Sequence, residues 1–209
     1  MRGLYLVTDR GLCAGRALEE VVAQAVQGGV ACVQLREKDI STRAFLELAR
    51  SLKALLAPLR VPLLINDRLD VALAAGADGV HVGQGDMPAS LVRRLLGPRA
   101  LIGLSVETWE DVVQAQDLDV NYLGVSPVFD TPTKTDTKAA WGLAGIQRIR
   151  AFSRHPLVAI GGLNLANVAQ AVRAGAEGIA VVSAVCASPE PRIAARELDL
   201  RIQAALRDR

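Results

Sequence analysis

The chain has 209 residues, 51% of them hydrophobic and only 3% aromatic, and its 24 basic and 22 acidic side chains leave a formal net charge of +2. That length suits one domain, and the absence of a basic stripe or tail excludes a nucleic-acid partner. Cys13, Cys32 and Cys186 stand far apart and odd in number, which excludes a disulfide framework or a cysteine metal cluster and points to a reducing cytoplasm.

The first apolar run, Leu4 to Val7, stops at Thr8 and Asp9. It is too short for a signal peptide or a membrane span, so a strand is expected over 3–7. Further strands are expected over 31–36, 62–65, 78–82, 101–104, 121–125, 157–160 and 178–182, with helices between them. The second helix is the clearest: Ser41 is its N-cap, and Phe45, Leu48, Ala49, Leu52, Leu55 and Leu56 recur at helical spacing. A weak internal repeat supports this order. Ala75-Gly76-Ala77-Asp78-Gly79-Val80 resembles Ala174-Gly175-Ala176-Glu177-Gly178-Ile179, and Gly28 to Leu35 is a looser copy. Gly29, Gly76 and Gly175 lie 47 and then 99 residues apart, multiples of a βα unit of about 25 residues. Strict alternation with a core of Ala, Val, Leu and Ile predicts α/β structure: a single (β/α)8 TIM barrel filling 1–209, with a doubly wound open sheet as the alternative.

In such a barrel the chemistry sits after each strand. Gln34, Arg36 and Lys38 alternate after strand two and share a face. Asn66 and Asp67 follow strand three, Gln84 and Asp86 strand four, and Ser105 strand five. A long loop follows strand six and carries Thr131, Pro132, Thr133 and Lys134. Gly161-Gly162 follows strand seven, and Val182-Ser183 follows strand eight. Arg36, Lys38 and Lys134 are cations suited to phosphate oxygens. Asp67 and Asp86, with no His or Cys beside them, suit a hard cation such as Mg²⁺ that shares its shell with phosphate. Glycine after strand seven permits close backbone approach to a second phosphate. Two phosphate sites at one mouth imply that two phosphorylated small molecules are joined. Taken singly the features are bland: an Asp after a strand is commonly an N-cap, and Gly-Gly is plain turn chemistry. His81, inside an apolar strand, reads as packed core, His155 as a turn residue and Arg93-Arg94 as a solvated helix face. Residues 126–141 read as a lid; Trp109 and Trp141 read as surface or packing residues, with a ligand cover as the alternative for Trp141.

The same residues resemble the thiamine-phosphate synthase family over almost the whole chain. The matching motifs are Gln34-Leu35-Arg36-Glu37-Lys38, Asn66-Asp67-Arg68, Gly79-Val80-His81-Val82-Gly83-Gln84-Gly85-Asp86 and Ile102-Gly103-Leu104-Ser105. They continue as Pro127-Val128-Phe129, Thr131-Pro132-Thr133-Lys134, Ile160-Gly161-Gly162 and Val182-Ser183. The resemblance implies that Gln34, Leu35, Arg36, Glu37, Lys38, Asn66, Ser105 and Lys134 bind an aminopyrimidine diphosphate, with Asp67 and Asp86 holding Mg²⁺. It implies that Thr131, Pro132, Thr133, Gly162, Val182 and Ser183 bind a thiazole phosphate, and that Arg36, Lys38, Ser105 and Lys134 serve the reaction itself. Two positions depart from the family: Ser126 where relatives often carry Gly, and Gly85 where an acid is common. Two other functions are considered. A thiazole tautomerase of the same barrel family handles one monophosphate and has no use for the Asp67/Asp86 pair. A non-catalytic phosphate-binding barrel would be expected to have lost a ligand. Oligomeric state is not determined by the sequence.

Overall fold

Strands apolar on both faces have no solvated side and must be covered twice, once by helices and once by each other. The structure, a computed structural model describing residues 2–130 and 139–209, meets that demand by closing the sheet. Eight parallel strands form a barrel in sequential order: β1 (Gly3–Val7), β2 (Cys32–Leu35), β3 (Leu63–Asn66), β4 (Gly79–Val82), β5 (Leu101–Val106), β6 (Tyr122–Val125), β7 (Leu157–Ala159) and β8 (Gly178–Val181). The closing pair, β1 with β8, sets Gly3 opposite Gly178 and Tyr5 opposite Ala180. The open-sheet alternative is thereby excluded. Around the barrel lie α1 (Leu18–Gln27), α2 (Thr42–Leu56), α3 (Leu69–Ala75), α4 (Ala89–Leu96), α5 (Trp109–Ala115), α6 (Gly142–Phe152), α7 (Val168–Ala174), the short α8 (Ser183–Cys186) and α9 (Pro191–Arg207). Among the described residues no helix is long and apolar enough to cross a membrane.

The strand period of two sorts the core into two parts. Leu4, Leu6, Val33, Leu35, Val80, Val82 and their counterparts face the helices. Tyr5, Val7, Cys32, Leu64, Tyr122, Val158 and Ala180 fill the interior of the barrel. α2 is as expected: Ser41 Oγ accepts from the Ala44 N–H at 3.2 Å, and Phe45, Ala49, Leu52 and Leu56 are buried.

The repeat has a physical basis at the lower rim. The Asp78 carboxylate, just before β4, accepts from the Leu63 N–H at 2.8 Å and pairs with Lys53 of α2 at 2.7 Å. Its counterpart Glu177, before β8, accepts from the Leu157 N–H at 2.7 Å and pairs with Arg150 of α6 at 3.0 Å. Before β6, Asn121 accepts from the Ile102 N–H at 2.8 Å and from Arg93 of α4 at 3.0 Å. Each clamp satisfies a buried N–H near a strand start and ties two strands to the helix before them. Arg93 is therefore no solvated residue; it also donates to the Gly97, Ala100 and Asp119 carbonyls. His155 is a buried turn residue whose Nε2 lies 2.9 Å from the Ala115 carbonyl oxygen.

Candidate active site

The C-terminal mouth of the barrel opens into a cavity of about 470 Å³, within the usual size range for a small-molecule site. Of the residues expected there, Gln34, Arg36, Lys38, Asn66, Asp67, Asp86, Ser105 and Val182 line it together. Arg36 is set by its own backbone: its N–H donates to the buried Thr8 Oγ1 at 3.0 Å, which couples the end of β1 to the loop after β2. The Leu35 side chain is fully buried on the helix side, which leaves its backbone for any ligand contact. The Glu37 carboxylate turns to Arg10 at 3.4 Å, and its Oε1 is buried with no hydrogen-bond partner among the described residues. Gly162 and Ser183 are not among the cavity-lining residues. Gly162 lies under the segment after β6, where an added Cβ would stand 2.7 Å from Phe129 Cβ and 2.8 Å from the Asp130 carbonyl oxygen. Its glycine is thus already required by packing as well as by its φ of 64°. Thr131, Pro132, Thr133 and Lys134, and with them half of the expected lid, lie outside the described residues.

The two carboxylates form the electrostatic centre of the site. Asp67 sits in a left-handed turn with φ of 61°, which Asp and Asn tolerate better than bulky residues, and its N–H donates to the His81 carbonyl at 2.9 Å. Asp86 Oδ2 accepts from the Gly83 N–H at 2.7 Å. Burial first, then the hydrogen bond and charge of Asp86, push the Asp67 carboxyl up to about 6, against the pull of Lys38 and Asn66. Two acids so close repel unless a proton or a cation lies between them. Among the described residues no group of three or more His, Cys, Asp or Glu surrounds a single point. A cation held here would therefore take most of its shell from ligand oxygens and water, which is the habit of Mg²⁺.

The floor of the cavity holds residues not anticipated as site residues. Tyr5 and His81 line it, and Tyr122, fully buried, touches both through its hydroxyl. His81 is therefore not packing in the outer core: it points inward between Val80 and Val82, which point outward. Strand parity puts Gly79 and His81 on one face and the two valines on the other, but does not say which face turns inward. Gln84 is anchored by donating to the Ser105 carbonyl at 2.7 Å. Gly85 has open space where a side chain would start, so the missing acid there has no steric cause. Ser126 is buried and lines the cavity. Trp141 packs partly buried against the outer core, and Trp109 lies between Phe152 and the Arg148 guanidinium, the latter 3.9 Å from its ring centroid.

Comparison with known proteins bears on this site. Residues 4–185 match the family model described as thiamine monophosphate synthase. The chain is 58% identical over 201 residues to the thiamine-phosphate synthase of Albidiferax ferrireducens, covering 96% of this chain and 92% of the relative. It is 56% identical over 196 residues to that of Leptospira biflexa, covering 92% and 93%. A solved structure, the thiamine phosphate pyrophosphorylase from Pyrococcus furiosus, superposes with a TM-score of 0.88 at 35% identity, over 98% of this chain and 96% of the other.

Proposed function

The chain belongs to the thiamine monophosphate synthase family of TIM-barrel transferases, and from that premise we propose how its residues share the work of making thiamine phosphate. The reaction joins a 4-amino-2-methyl-5-pyrimidinylmethyl diphosphate to a thiazole phosphate and releases pyrophosphate. The observation that carries the assignment is the gathering of Arg36, Lys38, Asp67 and Asp86 around one cavity, a charge set made for a diphosphate and a divalent cation.

Arg36 and Lys38, with Lys134, bind the diphosphate oxygens. Gln34, Asn66 and Ser105 orient the aminopyrimidine, and Gly162, Val182 and Ser183, with Thr131 to Thr133, take the thiazole phosphate. Asp67 and Asp86 hold Mg²⁺, which when bound neutralises charge on the diphosphate. The bond between the methylene carbon and the diphosphate oxygen breaks, and its electron pair leaves on pyrophosphate. The aminopyrimidine ring spreads the positive charge, and the thiazole nitrogen supplies the pair for the new carbon–nitrogen bond. No proton is lost when that bond forms, so no general base or nucleophile is needed. Arg36 and Lys38 act where negative charge grows, and the cavity holds the two partners in reacting order. The unit is one catalytic domain over 1–209, acts on phosphorylated small molecules and works in the cytoplasm.

The test mixes both substrates with Mg²⁺ and follows pyrophosphate. Release is expected only with both substrates, to stop in EDTA and to resume with added Mg²⁺. Absence of coupled product from folded protein overturns the activity, and an undiminished rate in chelator overturns the metal. A second expectation concerns Gly162. Because a Cβ there collides with Phe129 and Asp130, Gly162→Val should displace the segment after β6 and impair the use of both substrates. Steady-state constants for each substrate check this; a rise confined to the KM for thiazole phosphate would show that the segment yields without harm.

A further inference from the structure

Beneath the cavity a chain of hydrogen bonds crosses the barrel. Gln34 Nε2 donates to the Tyr5 hydroxyl at 2.9 Å. The Tyr5 and Tyr122 hydroxyls are 2.8 Å apart, and the Tyr122 hydroxyl is 2.9 Å from His81 Nδ1. His81 Nε2 is 2.8 Å from Ser105 Oγ. Strands β2, β1, β6, β4 and β5 contribute one residue each. The two ends, Gln34 and Ser105, are substrate residues on the reading above; the three in the middle have had no part in it.

The barrel reserves room for this middle. An added Cβ at Gly103 would lie 2.2 Å from Tyr122 Cζ and 2.5 Å from His81 Nδ1, and one at Gly124 would lie 2.8 Å from His81 Cε1. The His81 and Tyr122 rings stack with centroids 5.6 Å apart, and Tyr5 meets Tyr122 edge-on at 5.9 Å. The rings are thus held from several sides.

Counting protons gives the chain a direction. Burial holds both phenols well above their ordinary range, so each hydroxyl has one proton to donate. With Gln34 donating to Tyr5, the forward order runs Tyr5 to Tyr122, Tyr122 to His81 Nδ1, and His81 Nε2–H to Ser105 Oγ. The serine proton is then left to point into the cavity. The reverse order spends the serine proton on His81 and leaves the Tyr5 proton with the Cys32 sulfur beside it, a weak acceptor.

We infer that Tyr5, Tyr122 and His81 are positioning residues, a one-way relay that sets the His81 ring with its proton at Nε2 and so presents the Ser105 hydroxyl as a donor to an acceptor atom of the pyrimidine substrate. The inference rests on the function proposed above, but its first test does not. The chain has two histidines, His81 and His155, whose rings can be assigned through their own Cβ carbons in ¹⁵N-labelled protein. Long-range ¹⁵N–¹H spectra should show His81 with Nε2 protonated and Nδ1 bare. A ring protonated at Nδ1, or at both nitrogens, overturns the relay whether or not the protein turns over. The second test is a cycle of Tyr122→Phe with Ser105→Ala. Tyr122→Phe removes one hydroxyl from the relay and should lower kcat about tenfold, the worth of one hydrogen bond, with each KM within about twofold. In the Ser105→Ala background the same change should have no further effect on kcat, because the relay acts through that hydroxyl. Additive losses would show that Tyr122 acts by another route and overturn the relay. An inactive wild type would count against the proposed function alone, and the tautomer would still decide the relay.

Discussion

Asp67→Asn is expected to lower kcat by about 100-fold or more and, at the same time, to stabilise the metal-free protein at neutral pH. The first effect follows from replacing one of the two carboxylates proposed to hold the metal, since a divalent cation contributes several kcal/mol of charge stabilisation to such a transition state. The second follows from the raised Asp67 carboxyl. A carboxyl at about 6 in the folded protein and near 3.9 in the unfolded chain binds its proton more tightly when folded. Stability is therefore lost as pH rises between those values, and the deficit stays constant above them. The full shift corresponds to about 3 kcal/mol, and solvent screening of this half-buried group brings the expected gain from Asn to about 1 kcal/mol. Asn also tolerates the left-handed backbone of this turn, so the variant should fold unstrained. Thermal melts without metal should show the variant and wild type level near pH 4, with the variant drawing ahead up to about pH 6 and holding its lead beyond. Added Mg²⁺ should raise the wild-type melting temperature and leave the variant nearly unmoved. Equal melting curves across that range would mean that the two acids do not burden each other, and the case for a cation between them would fall.

Gly79→Ala is expected to cost more than about 3 kcal/mol and to lower the melting temperature by about 10 °C. Gly79 opens β4 and pairs in register with Leu64 of β3 and Leu101 of β5. An added Cβ would stand 1.8 Å from the Leu101 carbonyl oxygen and 2.6 Å from its carbon. The obstruction is backbone at the first register pair of two parallel strands, so no rotamer change relieves it. The strands must part, and β4 and β5 carry His81 and Ser105 and lead on to Asp86. Gly85→Ala is the matched control, because a Cβ there meets nothing within 4 Å, and its melting temperature should stay within about 1 °C of wild type. Calorimetry of the two variants decides the matter. A tolerated Gly79→Ala would show that the β4–β5 contact is looser than the register implies.

Much of this molecule is legible in its sequence. The turn-and-strand repeat around Gly76 and Gly175 marked the βα period, and its acidic residues proved to be the clamps Asp78 and Glu177. Strand positions fell within a residue or two because short apolar runs bounded by Gly, Pro and polar residues have few other readings. That Arg36, Lys38, Asp67, Asp86 and Ser105 share one cavity was legible because a barrel puts the ends of all its strands at one mouth. The residues that were missed have a common cause. Tyr5, His81 and Tyr122 lie within strands, where the sequence is apolar on both sides and its pattern does not say which face is the interior. Arg93 was misjudged for a related reason: its partners Gly97, Ala100, Asp119 and Asn121 come together only when α4 docks beside β5 and β6. What the sequence determined by itself was the order and period of the elements and the chemistry at their ends, because those depend on neighbours along the chain. Closure of the sheet decided the rest: it turned one face of each strand inward and brought polar groups of five separate strands within hydrogen-bond reach of one another.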